Sequence, residues 1–363
     1  MKLKKIPLPF AADKAVLGFG AQTKNTLCFA RGRAAFLATA HNDLSDPDDL
    51  TVFEKEARYF LRQKPKIIAY DLHPDYQSSK FALSLGRGSY SFFAVQHHHA
   101  HIAACMAENG LTNRKIIGVA FDGTGLGSDN SIWGSEFLIC NYGNYQRKAH
   151  LKEIPLLGGE KAVLEPWRLV CAWDNCAVLP AQYQKQCRIL RKLMQQRLNT
   201  PSASSMGRLF DAAGCLILKK YQVAEEAELP IELERAASCY AGKAAEYKFT
   251  IQKKQGQYII DPTAIFRQIL EDLEKRKPKD EIAFRFHCTI AQMIAKTCLK
   301  LRKESEIDQV ALSGGVFQNK LLLGLTLELL CKLKFKAITH QSLSSSDVSI
   351  SLGQVAVAAH SRE

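Results

Sequence analysis

The order of apolar and polar positions in the first third of the chain predicts alternating strands and helices. Residues 15–20 read as a strand that ends in glycines. Residues 25–40 continue with β-prone positions, broken by Arg31-Gly32-Arg33, which predicts a hairpin. Helical periodicity follows over residues 50–63. Three further runs read as buried-type strands: residues 66–71, 92–96 and 115–121. This order of elements is typical of an α/β fold.

A strand pair joined by a glycine-containing loop occurs twice, once near residue 20 and once near residue 125. Such a repeat predicts two similar lobes with a cleft between them. We therefore predict a first lobe over residues 1–130 and a second over residues 131–363, with a mostly helical insertion at about 155–305. Within the insertion, residues 271–281 read as a solvated charged connector and residues 282–301 as a long amphipathic helix.

Two glycine turns are candidates for binding a phosphate. In the first lobe, Lys24 and Asn25 lie in a polar turn between two strands, where backbone amides can hold an anion, although a plain hairpin explains the same pattern. Near the other end, Ser313-Gly314-Gly315 turns from a strand into a helix, whose N-terminus favours an anion. Neither a Walker A sequence nor a GxGxxG motif is present, so any phosphate site is of another kind.

Composition narrows the class of protein. The chain has 363 residues, 47% of them hydrophobic, and no apolar run approaches the roughly 18 residues of a membrane span. Without a signal peptide or a membrane span, a cytoplasmic protein is expected. Eleven cysteines form no CxxC pair, which predicts reduced, mostly buried thiols.

The net charge of +13 permits nucleic acid or an acidic partner but establishes neither. Between Asp174 and Asp211 there is no acidic residue. This stretch carries six basic residues: Lys185, Arg188, Arg191, Lys192, Arg197 and Arg208. It is either a solvated helix face or a surface that docks phosphates or an acidic chain.

The stretch Gln96-His97-His98-His99-Ala100-His101 holds four of the ten histidines. Good helix formers follow as far as Glu108, and Asn109-Gly110 ends them, so the cluster opens a helix. His97 and His101 are four residues apart, share one helix face and can bind one ion. The alternative interpretation is a solvated polar helix start.

Several motifs, in order along nearly the whole chain, resemble those of one family, the HypF carbamoyltransferases of hydrogenase maturation, in their carboxyl-terminal transferase domain. The matching segments are Gly20–Thr26, Asp71-Leu72-His73-Pro74-Asp75-Tyr76, the histidine stretch, Phe121-Asp122-Gly123-Thr124-Gly125, Trp133-Gly134-Ser135-Glu136-Phe137, Glu165-Pro166-Trp167-Arg168, Ser204–Asp211 and Leu312–Asn319. The resemblance implies two ribonuclease-H-like lobes around a nucleotide cleft, the fold of actin, Hsp70 and sugar kinases, which agrees with the repeat.

The resemblance also implies a metal held by His97 and His101, with Asp347 as third ligand and Asp122 contributing. Zinc and iron both suit histidine and carboxylate ligands. Gly207, Arg208 and Asp211 lie where related proteins hold the nucleoside, and Asn319 is placed to hydrogen-bond the base. The turn from Ser313 to Gly315 would then face the phosphates.

The implied reaction is transfer of a carbamoyl group from ATP-derived carbamoyl-adenylate to the carboxyl-terminal cysteine of a HypE-like partner. No catalytic residue is assigned. Complete family members carry further domains before this region, so a separate protein is expected to supply carbamoyl-adenylate. Neither a nucleic acid nor a membrane is expected as a partner. Three alternatives are a relative of the tRNA threonylcarbamoyl transferases, a non-catalytic maturation scaffold, and an enzyme of the same fold that carbamoylates a hydroxyl group of a small molecule.

Three departures from the family pattern predict altered or weakened nucleotide handling. The usual NDGG is Ser346-Asp347-Val348-Ser349, which keeps the acid and replaces both glycines. The usual YEG is Glu225-Glu226-Ala227, and Ser135 replaces a glycine in WGSEF. Added Cβ atoms hinder a close approach of backbone to phosphate.

Overall fold

The structure is a computed structural model that describes residues 2–86, 88, 90–173, 178–196, 198–243 and 245–361. The first sheet has four strands in the order β2-β1-β3-β4. Its strands are β1 (Leu3–Gly18), β2 (Cys28–Ala38), β3 (Ile67–Asp71) and β4 (Ser91–Val95). The helices of this region are α1 (Pro47–Leu61), α2 (Gln77–Ser84) and α3 (His97–Glu108).

The second sheet has nine strands, seven of them in the order β10-β11-β7-β6-β5-β12-β13, while β9 pairs with β6 and β8 pairs with β9. Its strands are β5 (Ile116–Leu126), β6 (Ile132–Cys140), β7 (Tyr145–Leu151), β8 (Ile154–Pro155), β9 (Ser202–Ser205), β10 (Thr250–Lys254), β11 (Gln257–Asp261), β12 (Gln309–Ser313) and β13 (Lys336–Ile338).

Nine further α-helices follow β5 along the part of the chain that the structure describes. They are α4 (Lys161–Leu164), α5 (Trp167–Ala172), α6 (Ala181–Gln195), α7 (Met206–Leu218), α8 (Glu228–Ser238), α9 (Thr263–Glu274), α10 (Lys279–Ser305), α11 (Lys320–Lys332) and α12 (Ile350–Ala358). None of the described helices combines the length and the apolarity needed to cross a membrane.

Both sheets contain the same four-stranded unit. In β2-β1-β3-β4, an antiparallel pair is followed by two parallel strands. The unit β6-β5-β12-β13 repeats that arrangement strand for strand. The repeat predicted near residues 20 and 125 is therefore confirmed, and so is the two-lobed α/β fold. The lobe boundary at residue 130 stays a prediction, and the strand pairing changes sheet earlier, between β4 and β5.

The helices α3 and α12 occupy equivalent places in the repeat and lie between the two sheets. α3 packs on β5 and β12, while α12 packs on strands of the first sheet and along α3. Every residue from His97 to Ala107 and from Ile350 to Ala358 is buried. A helix that is buried on all sides belongs to a core. This central pair brings the N-terminus of α3 close to the segment that precedes α12.

Several local predictions need correction. Arg31-Gly32-Arg33 is not a hairpin: β2 runs through it with a register shift, and Gly32 takes a φ of 59° there. The partner of β2 is β1, which begins at Leu3. Residues 271–281 are not one connector, because α9 continues to Glu274 and α10 begins at Lys279. The helical insertion also contains the β10–β11 hairpin, which the pattern did not predict.

The prediction of reduced thiols is wrong for one pair. Cys171 and Cys187 form a disulfide between α5 and α6. These two residues are 16 apart in sequence, and only the packing of α5 against α6 brings them together. Eight other cysteines are free, including the buried Cys28, Cys105 and Cys298. Cys176 lies outside the described residues.

A candidate metal centre between the two sheets

The histidine stretch opens α3, as predicted. Gln96 is the N-cap, and its side-chain oxygen accepts a hydrogen bond from the backbone N–H of His99 at 2.9 Å. This contact satisfies one of the backbone donors that every helix start leaves free. His97 and His101 therefore lie one turn apart on the same face.

Four side chains that the sequence assigned to a metal converge at this helix start. They are His97, His101, Asp122 and Asp347, and one potential ligand atom from each lies within 4.8 Å of all the others. Nε2 of His101 lies 2.8 Å from Oδ2 of Asp122 and 3.5 Å from Oδ1 of Asp347. Nε2 of His97 lies 3.9 Å and 3.7 Å from the same two oxygens.

The donor atoms of this cluster fit a divalent cation. Nε2 of His97, Nε2 of His101 and Oδ2 of Asp122 are buried and have no hydrogen-bond partner of acceptable geometry. Buried polar atoms are rarely left unpaired in folded proteins. Two imidazole nitrogens and two carboxylates form a ligand set that zinc and iron both accept.

The charges of the cluster depend on one another. Burial lowers the pKa of His97, but Asp71 and Asp347 outweigh it and leave that pKa well above its usual range. Burial raises the pKa of Asp122, but the imidazoles of His101 and His97 beside it hold that pKa well below its usual range. The carboxylates therefore favour a positive charge between them, whether it is a proton on an imidazole or a bound cation.

The other two histidines of the stretch do not face the cluster. Nδ1 of His98 lies 3.0 Å from the amide nitrogen of Gln96, and its ring packs at 6.0 Å from the ring of Trp133. Nε2 of His99 lies 2.7 Å from the carbonyl oxygen of Asn141, and burial lowers the pKa of His99 to about 4. Both rings therefore belong to the core rather than to the predicted site.

Asp71 is a part of the site that the sequence motifs contained but did not assign. It is the last residue of β3, and its Oδ2 lies 2.8 Å from Nδ1 of His97. A carboxylate at Nδ1 keeps the proton there and leaves Nε2 available as a ligand. An acid at the carboxyl end of a buried parallel strand was the signal that could have identified it.

The residues predicted to hold a nucleoside form a second cluster next to Asp122. Gly207 and Arg208 lie in the first turn of α7 and pack on Gly123. A Cβ added to Gly123 would lie 2.8 Å from the carboxylate of Glu226 and 3.1 Å from the guanidinium of Arg208. Nη1 of Arg208 lies 3.3 Å from Oδ2 of Asp211. Nε of Arg208 and Oδ2 of Asp211 are buried and without a hydrogen bond, so both can receive a ligand.

The glycine turn lies on the other side of Asp122. Gly314 takes a φ of 103°, and a Cβ there would lie 2.1 Å from the carbonyl oxygen of Phe121. At Gly315, an added Cβ would lie 2.9 Å from Oδ1 of Asp122. The side chain of Ser313 points away from this turn, toward His101 and His340. Asp122 therefore belongs to the candidate metal ligands and also lies beside two other features, the glycine turn and the cluster of Arg208 and Asp211.

Two predicted binding residues, Asn25 and Asn319, have other contacts, and a third, Lys24, is exposed. Asn25 donates to the carbonyl oxygens of Phe19 and Ala21, so its side chain braces the loop after β1. Lys24, in the same loop, is exposed. Asn319 caps α11, and its amide nitrogen lies 2.9 Å from Nε2 of His287. The roles of these residues in nucleotide binding stay predictions.

The departures from the family glycines have different local consequences. Val348 and Ser349 adopt no left-handed φ, and Thr26 donates to the carbonyl oxygen of Val348 at 2.9 Å. The hydroxyl of Ser135 lies inside the second sheet, where it donates to the carbonyl of Ser204 at 2.6 Å. Ala227 does adopt a left-handed φ of 65°. A strained backbone conformation is therefore found at only one of these four positions.

Two family profiles match the chain. One, described as "HypF Kae1-like domain", covers residues 11–108. The other, described as "Carbamoyltransferase, Kae1-like Domain, second subdomain", covers residues 118–354. Together they include all four residues of the metal cluster.

Individual proteins agree with the profiles. A "Carbamoyltransferase HypF homolog" of Cupriavidus necator is 32% identical, over 97% of this chain and 93% of the homolog. "Carbamoyltransferase HypF" of Rhodobacter capsulatus is also 32% identical, but the chain spans only 48% of it. The crystal structure of full-length HypF in the phosphate- and nucleotide-bound form superimposes with a TM-score of 0.92 at 35% identity, over 98% of this chain and 57% of that one.

The structure of HypF from T. kodakarensis superimposes with a TM-score of 0.87 at 27% identity, over 98% of this chain and 49% of that chain. The chain thus spans about half the length of several of its relatives and nearly the whole of one. These likenesses extend over both sheets and the insertion.

Proposed function

This chain belongs to the HypF family of carbamoyltransferases, and from that premise we propose that it transfers a carbamoyl group from carbamoyl-adenylate to a protein thiol. The thiol sulfur attacks the carbamoyl carbon, the bond from that carbon to the phosphate oxygen breaks, and AMP leaves. The thiol proton is released. The acceptor that we propose is the carboxyl-terminal cysteine of a HypE-like partner.

The observation that carries the proposal is the position of Asp122 between two clusters. On one side are the unpaired donor atoms of His97 and His101, and on the other side are Gly123 and Arg208. A nucleotide with its ribose at Asp211 would lie with its phosphate toward Asp122. The guanidinium of Arg208 and the backbone of the Gly315 turn are placed to favour its negative charge.

His97, His101, Asp122 and Asp347 would hold the metal ion in this proposal. A divalent ion there would supply positive charge to the leaving phosphate. The chain's own residues orient the ligands: Asp71 keeps a proton on Nδ1 of His97, and the N-cap Gln96 fixes the helix start that carries both rings.

Two alternatives receive less support. The family match favours a hydrogenase-maturation transferase over a tRNA-modifying relative. A degenerate, non-catalytic scaffold would not need four converging ligand residues or buried donor atoms without partners.

A transfer assay tests the proposal. Carbamoyl-adenylate and a HypE-like protein are offered to the purified chain, and the partner's intact mass is measured. We expect one added carbamoyl group on the terminal cysteine, and none when that cysteine is replaced by serine. No mass gain with a chain that binds adenosine would contradict the transfer activity.

Metal analysis tests the ligand set separately. His101→Ala should release the metal, whereas the control His360→Ala should retain it. His360 stacks on Tyr142 beyond the far end of α12. Equal metal content in both variants would rule out His101 as a ligand.

A further inference from the structure

A second set of buried polar side chains continues from His101 away from the metal cluster. Nδ1 of His101 lies 3.4 Å from the hydroxyl oxygen of Ser313, which lies 2.9 Å from Nε2 of His340. Nδ1 of His340 in turn lies 2.7 Å from Oε2 of Glu108. Ser313 is fully buried, and the side chains of His340 and Glu108 are 3% and 4% exposed.

The internal repeat shows that this set has a counterpart. Asp71 ends β3, and Ser313 ends β12, the equivalent strand of the second sheet. Asp71 contacts Nδ1 of His97 directly, and Ser313 contacts Nδ1 of His101. At His97 the carboxylate is in direct contact, whereas at His101 a carboxylate is reached through a hydroxyl and a second imidazole.

The hydrogen bonds of this set can all point in one direction. If Nε2 of His101 is to bind a cation, its proton must be on Nδ1, and that N–H can donate to Ser313. The Ser313 hydroxyl then donates to Nε2 of His340. Nδ1–H of His340 donates to the carboxylate of Glu108. With Nδ1–H of His101 as the first donor, every donor of the set then has an acceptor.

Glu108 is held as a fixed acceptor at the end of the set. Its other oxygen accepts the backbone N–H groups of Gln341, at 3.2 Å, of Ser342, and of Leu343, at 2.8 Å. Burial raises the pKa of Glu108, but the contacts with His340 and Ser342 outweigh it and lower that pKa to about 2. Glu108 also lies at the last position of α3, the helix that carries His101.

We propose that Glu108, His340 and Ser313 form a hydrogen-bond relay that sets the tautomer and orientation of the metal ligand His101. The relay rests on the proposed metal binding at His97, His101, Asp122 and Asp347. Its members are positioning residues, since none of them faces the space between the four ligands. A carboxylate then stands behind both histidine ligands, directly for His97 and through the relay for His101.

Glu108→Gln tests the relay because replacing one carboxylate oxygen by an NH₂ group reverses the direction in which each hydrogen bond of the relay is donated. The Gln oxygen can keep the three backbone N–H groups, so its NH₂ group must donate to Nδ1 of His340. Nε2–H of His340 then donates to Ser313, whose hydroxyl donates to Nδ1 of His101. The proton of His101 is thereby placed on Nε2, 2.8 Å from the Oδ2 atom of the Asp122 carboxylate. This favours the metal-free form.

The measurement is the affinity of the full chain for Co²⁺, titrated by its visible absorption and confirmed with Zn²⁺ by competition with a chelator. We expect Glu108→Gln to bind Co²⁺ about 10- to 100-fold more weakly than the unaltered chain. Glu234→Gln is the matched control, because Glu234 also accepts two backbone N–H groups, those of Lys320 and Leu321, far from the cluster. Its Co²⁺ affinity should be unchanged.

A second variant separates the relay from a loss of packing. His340→Phe removes more contacts than Glu108→Gln, but it leaves Nδ1–H of His101 free to donate to Ser313. The relay therefore predicts a smaller loss of affinity for His340→Phe than for Glu108→Gln, whereas a purely structural role predicts the opposite order. If Glu108→Gln does not fold, Ser313→Ala decides, with the same 10- to 100-fold loss expected.

The outcomes are distinguishable. Failure of the unaltered chain to bind Co²⁺ or Zn²⁺ would overturn the metal proposal and the relay with it. Binding by the unaltered chain with no difference between Glu108→Gln and Glu234→Gln would overturn the relay alone. A larger loss of Co²⁺ affinity for His340→Phe than for Glu108→Gln would also overturn the relay.

Discussion

The buried carboxyl of Asp211 differs from Asp122 and Asp347 because its pKa is raised, whereas theirs are lowered. Burial raises the pKa of Asp211 to about 6, and Arg208 only partly opposes this shift. The folded protein therefore holds this proton more tightly than the unfolded chain does, where the pKa is near 3.8. The contribution to stability is complete below pH 3.8 and is lost as pH rises through about 6.

Adenosine affinity should change in the opposite sense. An ionised carboxylate accepts hydrogen bonds from ribose hydroxyls more strongly than a neutral carboxyl does, so binding should strengthen as pH rises through about 6. Calorimetry with adenosine, which has no phosphate to titrate, measures the effect between about pH 5 and about pH 8. Asp211→Asn should flatten the profile. A flat profile for the unaltered chain would contradict a role for Asp211 in binding.

Ala227 is strained where the family pattern usually has glycine. Its φ of 65° lies in the left-handed region, which costs a residue with a Cβ about 1–2 kcal/mol. Ala227→Gly relieves this cost but adds freedom to the unfolded chain, so we expect a net gain of about 0.5–1 kcal/mol in the free energy of unfolding. Urea denaturation measures it.

The control for Ala227→Gly is Ala236→Gly, nine residues further along the chain and inside α8. Ala236 has an ordinary helical backbone, so glycine should destabilise the protein there by about 0.5–1 kcal/mol. If glycine lowered the free energy of unfolding at both positions, the left-handed backbone at Ala227 would not destabilise the protein.

At the scale of elements, the crossing of α12 and α3 sets the position of the site. A Cβ at Gly353 would lie 1.9 Å from the carbonyl oxygen of Ala100, so the helix backbones touch there. Ala100 lies between His97 and His101, and Asp347 precedes α12 by three residues. The contact at Gly353 therefore sets the distance between the two histidines of α3 and the candidate ligand Asp347, which precedes α12.

Gly353→Ala should force α12 away from α3. We expect lower stability, by roughly 1–3 kcal/mol as for other overpacked cores, and weaker metal binding. Gly324→Ala is the matched control, because Gly324 lies in α11 with no heavy atom within 4 Å of an added Cβ. That variant should be more stable by about 0.4–1 kcal/mol. Unchanged Zn²⁺ affinity in Gly353→Ala would contradict this account.

At the scale of the molecule, the metal would join the ends of both central helices. A cation that binds only the folded state adds about 2.7 kcal/mol of stability at a hundredfold excess over its Kd. Thermal unfolding should therefore shift to higher temperature with Zn²⁺ and return with a chelator. His97→Ala should lose this response. A response retained by that variant would place the stabilising ion elsewhere.

Much of the whole-molecule organisation was predictable, because it depends on repeated local patterns. Glycine loops between strand pairs occur near residues 20 and 125, and each begins a four-stranded unit of the same pairing. Two of the predictions that failed depend on packing partners outside the local pattern. β2 continues through Gly32 because β1 extends back to Leu3, and Cys171 meets Cys187 because α5 packs on α6.

The spacing of four residues was enough to predict that His97 and His101 share a helix face and are candidate metal ligands. The family motifs added Asp122 and Asp347 as further candidates. Only the tertiary structure showed that Asp71 and Ser313 stand behind the two histidines at equivalent strand ends, and that Glu108 and His340 continue from Ser313. These contacts join residues up to 232 positions apart in sequence, so a pattern of neighbouring residues cannot predict them.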